Sequence, residues 1–505
     1  MPSFHLLSSA ALVLLCAITH WPQGVSAQNA STCAGVSGAC SQLASLYGDS
    51  VLYNSSSNYT TQNTLYWDIR SDLAPTCIFL PNTADEVASA VGILSSCQAE
   101  FAVRGGGHMN FPGSNNINNG VLLALNKLNT ITVNANGEES NFTVGPGNRW
   151  VDVYTALEPY GLYTIGGRLK TIGVPGLTLI GGFHYFINKY GYAMDSVLKY
   201  EVVLGNGTQV VANNETNQDL FWALKGGANN FGVVTRFTSK AYAIPKLSTT
   251  ILAFNTSTVE AWVQATVDYV ENITPDVAAG AVLTIAYDPA TKVATPTVLG
   301  VQEGTESPPS RFANYTAIGP ISQFDNVTTP TAWHGQLVTP DQDFRVQFAH
   351  HTMVPDAARI FAIYQAWTAA MEDVADVEGV VSTFVLNTMP KSAATVAKTN
   401  GVGNVWGLED TQSLIIWQLV NTWANAADDL RMTNWATKFV DYHHRINQQM
   451  GLASEFLYMG DAGESQNPFL GFPLENVERM REIRAAYDPQ GVFTHLNWGG
   501  FKLGA

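Results

Sequence analysis

The 505-residue chain is poor in charge. Only 13% of its residues are Asp, Glu, Lys or Arg, about half the roughly 25% of an average soluble protein. Basic residues are the scarcer kind: 25 Lys and Arg stand against 41 Asp and Glu, a net charge of −16. With no basic stripe, nucleic acid and anionic membrane surfaces are excluded as partners. Beyond the first residues no apolar run approaches the roughly 18 residues of a membrane span. There are five cysteines, with none after Cys97 and no CxxC pair, so a thiol redox centre is excluded. A dinucleotide loop of the G-x-G-x-x-G type is missing. "VRGGGHMN", "VGPGNRW", "GNGTQV" and "KGGANNFG" all have the wrong spacing. Neither a Walker A sequence, nor HExxH, nor G-x-S-x-G occurs. The neighbours His350-His351 and His443-His444 diverge on a strand or a helix, so neither pair chelates by itself, and no metal is expected.

What is present begins with "MPSFHLLSSAALVLLCAITHWPQGVSAQ". An apolar run from Leu6 to Ile18 precedes small residues at Val25, Ser26 and Ala27, the pattern of a secretory leader cut near Ala27. Ten Asn-x-Ser/Thr sequons follow, at Asn29, 54, 58, 141, 206, 214, 255, 272, 314 and 326. A secreted, N-glycosylated protein is expected. Cys16 falls in the leader, and the four remaining cysteines make two disulfides in such a compartment. Cys77 opens a strand, "CIFLP", and Cys97 ends the helical "TADEVASAVGILSSC". A strand–helix hairpin brings those ends together, which predicts Cys77–Cys97 and Cys33–Cys40.

With 46% hydrophobic residues, the chain can bury more than one core. Residues 77–245 are glycine-rich with short β-like runs. From 247 to 459 the style changes to longer amphipathic helices alternating with extended runs such as "AVLTIAYD" and "SLIIWQLVNTW". That alternation predicts an antiparallel sheet covered by helices on one face. The expected divisions are a leader over 1–27, a glycine-rich lobe over 28–245, a second domain over 246–459, and a returning segment over 460–505.

Several glycine loops spread over about 80 residues allow backbone amides to line one long, phosphate-containing ligand. "VRGGGH", "VGPGNRWVDVYTALEPYGLYTIGGR", "IGVPGLTLIGGF", "DLFWALKGGANNFGVVTRF" and "YDPQGVFTHLNWGGFKL", in that order, resemble the berberine-bridge-enzyme-like FAD-linked oxidoreductases of the vanillyl-alcohol-oxidase superfamily, and above all their secreted fungal members. The resemblance implies an α+β class: a two-lobed PCMH-type FAD-binding fold with an antiparallel-sheet substrate domain covered by helices. It implies that Arg104, Gly105, Gly106 and Gly107 wrap the FAD pyrophosphate, and that His108 bonds covalently to the flavin. The matching FAD contacts are Gly145, Gly167, Ile172, Gly173, Gly176, Leu177, Thr178, Gly181, Gly182 and Asn497. Leu169 stands where many relatives place a second linking cysteine, so one covalent bond is expected. Pro175, Ile180 and His184 depart from the family and crowd the flavin side.

The implied reaction is a two-electron oxidation, with a base taking a proton from the substrate. Candidates are Tyr458, His351 and His184, with Gln418 in reserve. In "FRVQFAHHTMV" the two-residue alternation puts Arg345, Gln347 and His351 on one face, expected toward the cleft. Phe344, Val346 and Phe348 take the other, expected under helices. A monomer is expected, acting on a small alcohol or specialised metabolite with dioxygen or another electron acceptor. The alternatives are a carbohydrate oxidase or a flavin-carrying binding protein.

Overall fold

The computed structural model describes residues 33–337 and 344–504. The expected leader, Cys16 and Asn29 lie outside the described residues. Among those described, no helix is long and apolar enough to cross a membrane, and no cluster of His, Cys, Asp and Glu could hold a metal ion.

The first lobe holds two small sheets. One runs in the order Val51–Leu52, Cys77–Phe79, Val121–Ala124, Phe101–Arg104, and its last three strands are parallel. The other is antiparallel: Ile131–Asn134, Asn141–Val144, Val233–Lys240, Val197–Val203, Gln209–Asn213. Helix Ala84–Cys97 joins two strands of the first sheet. It starts where Thr83 accepts from the Glu86 amide and Glu86 reaches back to the Asn82 amide, and it stops at left-handed Gln98. Its buried Val87, Ala90, Val91 and Leu94 recur every three to four residues and face the sheet's core.

The predicted disulfide pairing is wrong. The bonds are Cys33–Cys97 and Cys40–Cys77. Helix Gly35–Tyr47 shares a core with Ala84–Cys97 through Ala39 and Leu43. The hairpin argument left this N-terminal helix out, and it takes one cysteine from each end of the strand–helix unit.

The second domain is built on an eight-stranded antiparallel sheet. Its order is Ser322–Thr328, Leu247–Ala253, Val293–Glu303, Ala279–Asp288, Val381–Met389, Leu414–Trp423, Arg345–Met353, Ala453–Ser454. Alternate residues divide cleanly between its faces. Leu283, Ile285, Phe384, Leu386, Trp417 and Leu419 pack under helices Val259–Asn272, Ala357–Ala370 and Asp429–Gln449. Their neighbours Val282, Thr284, Val385, Asn387, Gln418 and Val420 turn to the other side, where they wall a cavity. Helix Leu474–Tyr487 then leads the chain back to the first lobe, where Asn497 bridges Phe101. The mixed helices and antiparallel sheets are the expected α+β class.

Candidate active site

A cavity of about 470 Å³ lies between the glycine loops and the open face of the large sheet. Its floor is the loop at Gly105, Gly106 and Gly107. Gly106 packs backbone to backbone on Gly173: a Cβ on either would come within 2.5 Å of the other's Cα. Gly107 has φ +69°, with the Leu65 carbonyl 2.2 Å from where a Cβ would sit. The glycines therefore let two loops approach each other while their amides edge the cavity.

His108 follows at the rim. Its ring stacks on Trp67, centroids 4.5 Å apart, and its Nδ1 lies 3.3 Å from Thr171 Oγ1. The ring is half-buried only because it borders the cavity, and protein surrounds it otherwise. Burial, with Arg149 nearby, lowers its pKa to about 3, so the imidazole is neutral and keeps a lone pair.

At one end of the cavity, Asn115 Oδ1, Asn229 Oδ1 and Asn497 Nδ2 are buried without hydrogen-bond partners. Asn497 is fixed in that orientation, because its Oδ1 already accepts from Asn229 and Lys502. Orphaned polar atoms of this kind call for a polar ligand. Together with the close-packed glycine loops, they fit a long cofactor carrying phosphates. Ile172, Gly173, Gly176 and Leu177 line the same cavity.

Other expected cofactor residues do not. The Arg104 guanidinium turns away to Gln62 and the Tyr66 ring, tying the loop to the N-terminal segment. Gly145 packs on the Leu128 carbonyl, and Gly167 on Trp150 and Ile172. Gly181 and Gly182, both at positive φ, press on Trp406 and on Ala193 with Leu177. Thr178 donates to the Val174 carbonyl within its own helix. All five serve the packing behind the cavity wall.

The polar part of the sheet side is compact. Arg168 donates to Asn387 Oδ1 from both terminal nitrogens, at 3.1 and 3.0 Å. Asn387 Nδ2 donates to Asp461 Oδ2 at 2.9 Å and to Gln418 Oε1 at 3.2 Å. No described residue bonds Asp461 Oδ1. Asp461 is enclosed by protein except where it meets the cavity, and desolvation raises its pKa to about 6, against a lowering pull from Arg168. Tyr458 stands beside it, accepting weakly from the Phe183 amide at 3.4 Å. Burial holds its hydroxyl well above the usual phenol range, so it is a hydrogen-bond donor at neutral pH and not a base.

Two candidate bases are misplaced. The strand Arg345–Met353 has the reverse of the expected facing. Phe348 lines the cavity. Arg345 pairs with Asp429, and His351 bonds Asp441 at 3.0 Å while stacking on His444, all under the helices. Polar residues there find partners on helix Asp429–Gln449, which alternation alone does not reveal. His184 lies behind the wall in a closed chain. It accepts from the Phe186 amide at Nδ1, so its Nε2–H donates to Tyr163 Oη at 2.7 Å. Tyr163 donates to His334 Nε2, and His334 Nδ1–H to the Arg168 carbonyl at 2.8 Å. This chain holds Arg168 in place and does not touch the cavity.

Sequence reasoning missed Asp461, Asn387, Arg168 and Trp67. Asp461 was the most accessible of these, three residues after Tyr458 in a matched motif.

Comparison with known proteins agrees with the geometry. Residues 75–213 match the FAD binding domain family. The chain is 31% identical over 518 residues to "FAD-dependent monooxygenase prx3" of Penicillium roqueforti, covering 99% of each chain. Among solved structures it resembles Physcomitrella patens BBE-like 1, with a TM-score of 0.73 at 20% identity over 90% of this chain and 97% of that one. It also resembles berberine bridge enzyme from Eschscholzia californica, with a TM-score of 0.72 at 16% identity over 90% of this chain and 98% of that one. The glycine cradle, the orphaned asparagines and the relatives agree: the chain has the fold of the berberine-bridge-enzyme-like proteins, it belongs to the FAD-linked oxidoreductases, and it is an enzyme.

Proposed function

We propose that the enzyme oxidises an alcohol or a specialised metabolite carrying a hydroxyl, with Asp461 as the base and His108 as the single covalent anchor of FAD. The observation that carries this reading is the Asp461 carboxylate at the cavity wall, with one oxygen fixed by Asn387 and the other bonded by no described residue. When bound, FAD supplies the two-electron acceptor for the substrate's C–H hydride and passes the electrons to dioxygen or another acceptor. The chain does the rest. Asp461 takes the hydroxyl proton as the C–H bond breaks, so the C–O single bond becomes a carbonyl. Tyr458 donates to the same substrate oxygen and orients it. Arg168 and Asn387 hold the carboxylate in place. Neutral His108 offers the lone pair that the covalent bond to the flavin requires.

An apolar substrate body is favoured by the rest of the wall. Val282, Val385, Val420, Phe348 and Ile180 offer few hydrogen bonds to the many hydroxyls of a sugar. Leu169 at the position of the second linking cysteine supports the same choice. We also read the protein as a secreted, glycosylated monomer. Of the nine sequons among described residues, eight have an exposed asparagine, and Asn141 is half-buried.

The test is a turnover screen of alcohols, phenols and sugars with dye acceptors and with oxygen, followed by mass analysis of products. A product with two hydrogens fewer supports the reading. A product with one oxygen more, made under labelled dioxygen, would replace it with monooxygenation, and rapid turnover of oligosaccharides alone would overturn the substrate class.

A further inference from the structure

The strand Ser322–Thr328 is an edge of the eight-stranded sheet, paired among the described residues only with Leu247–Ala253. An edge strand leaves a row of unpaired backbone groups that invite another strand. This one also exposes apolar side chains: Phe324 is 59% exposed and Ile321, just before it, 60%. An aromatic ring on an open edge is an aggregation site unless something covers it.

The same strand carries the sequon Asn326-Val327-Thr328. Phe324 and Asn326 are two residues apart and so share a face, opposite Ile251 and Thr249 on the neighbouring strand. Asn326 is exposed, and its side-chain amide bonds no described residue. Among the nine described sequons, only this one has an exposed large apolar residue two positions before it. The corresponding Leu52, Leu204, Val270 and Phe312 are buried, and the others are small or polar. On a strand the spacing from i to i+2 is about 7 Å, within reach of a sugar ring turned back along the strand from the asparagine nitrogen. The C–H face of such a ring is apolar and slightly positive, and it complements the negative face of an aromatic ring.

We propose that Asn326 carries an N-linked glycan whose first N-acetylglucosamine lies on the Phe324 ring, and that this pair closes the open edge of the sheet. The inference rests on the reading of the protein as secreted and glycosylated. The sugar, bulky and hydrated on its outer side, keeps a second copy from pairing with the edge.

The experiment uses the protein secreted from a eukaryotic host. Peptide mapping by mass should find Asn326 occupied. An endoglycosidase that leaves one N-acetylglucosamine should keep the folded protein monomeric in sedimentation. Complete removal by an amidase should raise self-association several-fold at equal concentration. Asn326→Gln should behave like the fully stripped protein, Asn206→Gln like wild type, and Phe324→Ser added to Asn326→Gln should restore the monomer. An empty Asn326 on a protein glycosylated elsewhere overturns this inference alone, as does an Asn326→Gln variant that stays monomeric with unchanged melting. A secreted protein with no glycan at any sequon overturns both this inference and the reading beneath it.

Discussion

At the scale of single residues, the proposed reaction divides the work between two side chains with opposite pKa shifts. His108 is pushed down to about 3 and Asp461 up to about 6, both by burial. His108 is thus neutral across the whole working range. Denatured wild-type protein should keep yellow fluorescence on the polypeptide in a gel, and His108→Ala should lose it. Asp461 gives a pH signature. If it is the base, kcat/KM rises with pH through about 6 and then levels off. Asp461→Asn should remove that limb and cost at least about tenfold in rate. The same substitution tests stability. The folded pKa lies above the ordinary 3.8, so the folded state holds the proton more tightly than the unfolded chain. The group therefore disfavours folding increasingly as pH rises from about 4 through 6, and the asparagine variant should melt about 1–3 °C higher at pH 7. A variant that is both less active and less stable would point to a structural role for Asp461. Ile172, on the cavity wall beside Gly173, is the residue to vary for oxygen access. Ile172→Val opens one methylene of a close-packed gap and should quicken reoxidation by oxygen in stopped flow.

Secondary-structure elements account for most of what the sequence revealed and what it hid. The glycine loops were legible because their chemistry is local: a loop that must pack on another loop needs glycine wherever it stands, as Gly106 and Gly173 do. The helices were legible from capping and period, as at Thr83 and Val87–Leu94. The disulfide pairing was not, because it depends on where helix Gly35–Tyr47 settles, and that is set by packing far from its own sequence. The facing of Arg345–Met353 was hidden for a related reason. Both of its faces carry polar residues, and only the placement of Asp429 and Asp441 decides which is which. Nothing in the sequence marks Asp461 as shifted, because its shift arises from three-dimensional enclosure. Two covalent closures over the N-terminal helix also make a stability prediction. Replacing Cys40 and Cys77 together by Ser opens a loop whose ends are 37 residues apart and should cost about 3–4 kcal/mol in chain entropy, measured by denaturant unfolding. Peptide mapping should recover Cys33 with Cys97.

For the molecule as a whole, the cavity is the junction. One wall belongs to the glycine-rich lobe and the other to the large sheet, so a cofactor filling it touches both cores. Binding to the folded state alone stabilises by mass action, about 2.7 kcal/mol at a hundredfold excess over Kd. His108→Ala, stripped of flavin, should show a single melting transition that climbs as FAD is added. Wild type, if its flavin is covalently held, should not respond.

The large sheet has one further consequence, for how such enzymes diversify. Its odd and even positions answer to different demands. Leu283, Phe384 and Trp417 belong to the helix-covered core, while Val282, Val385 and Gln418, each one step along the same strands, face the reactant. Changes at the second set leave the first untouched, and both sets lie outside the glycine loops. A catalogue of side chains can therefore be tried on that face, by evolution or by a saturation library at Val282, Thr284, Val385 and Val420, with the fold and the flavin chemistry held constant.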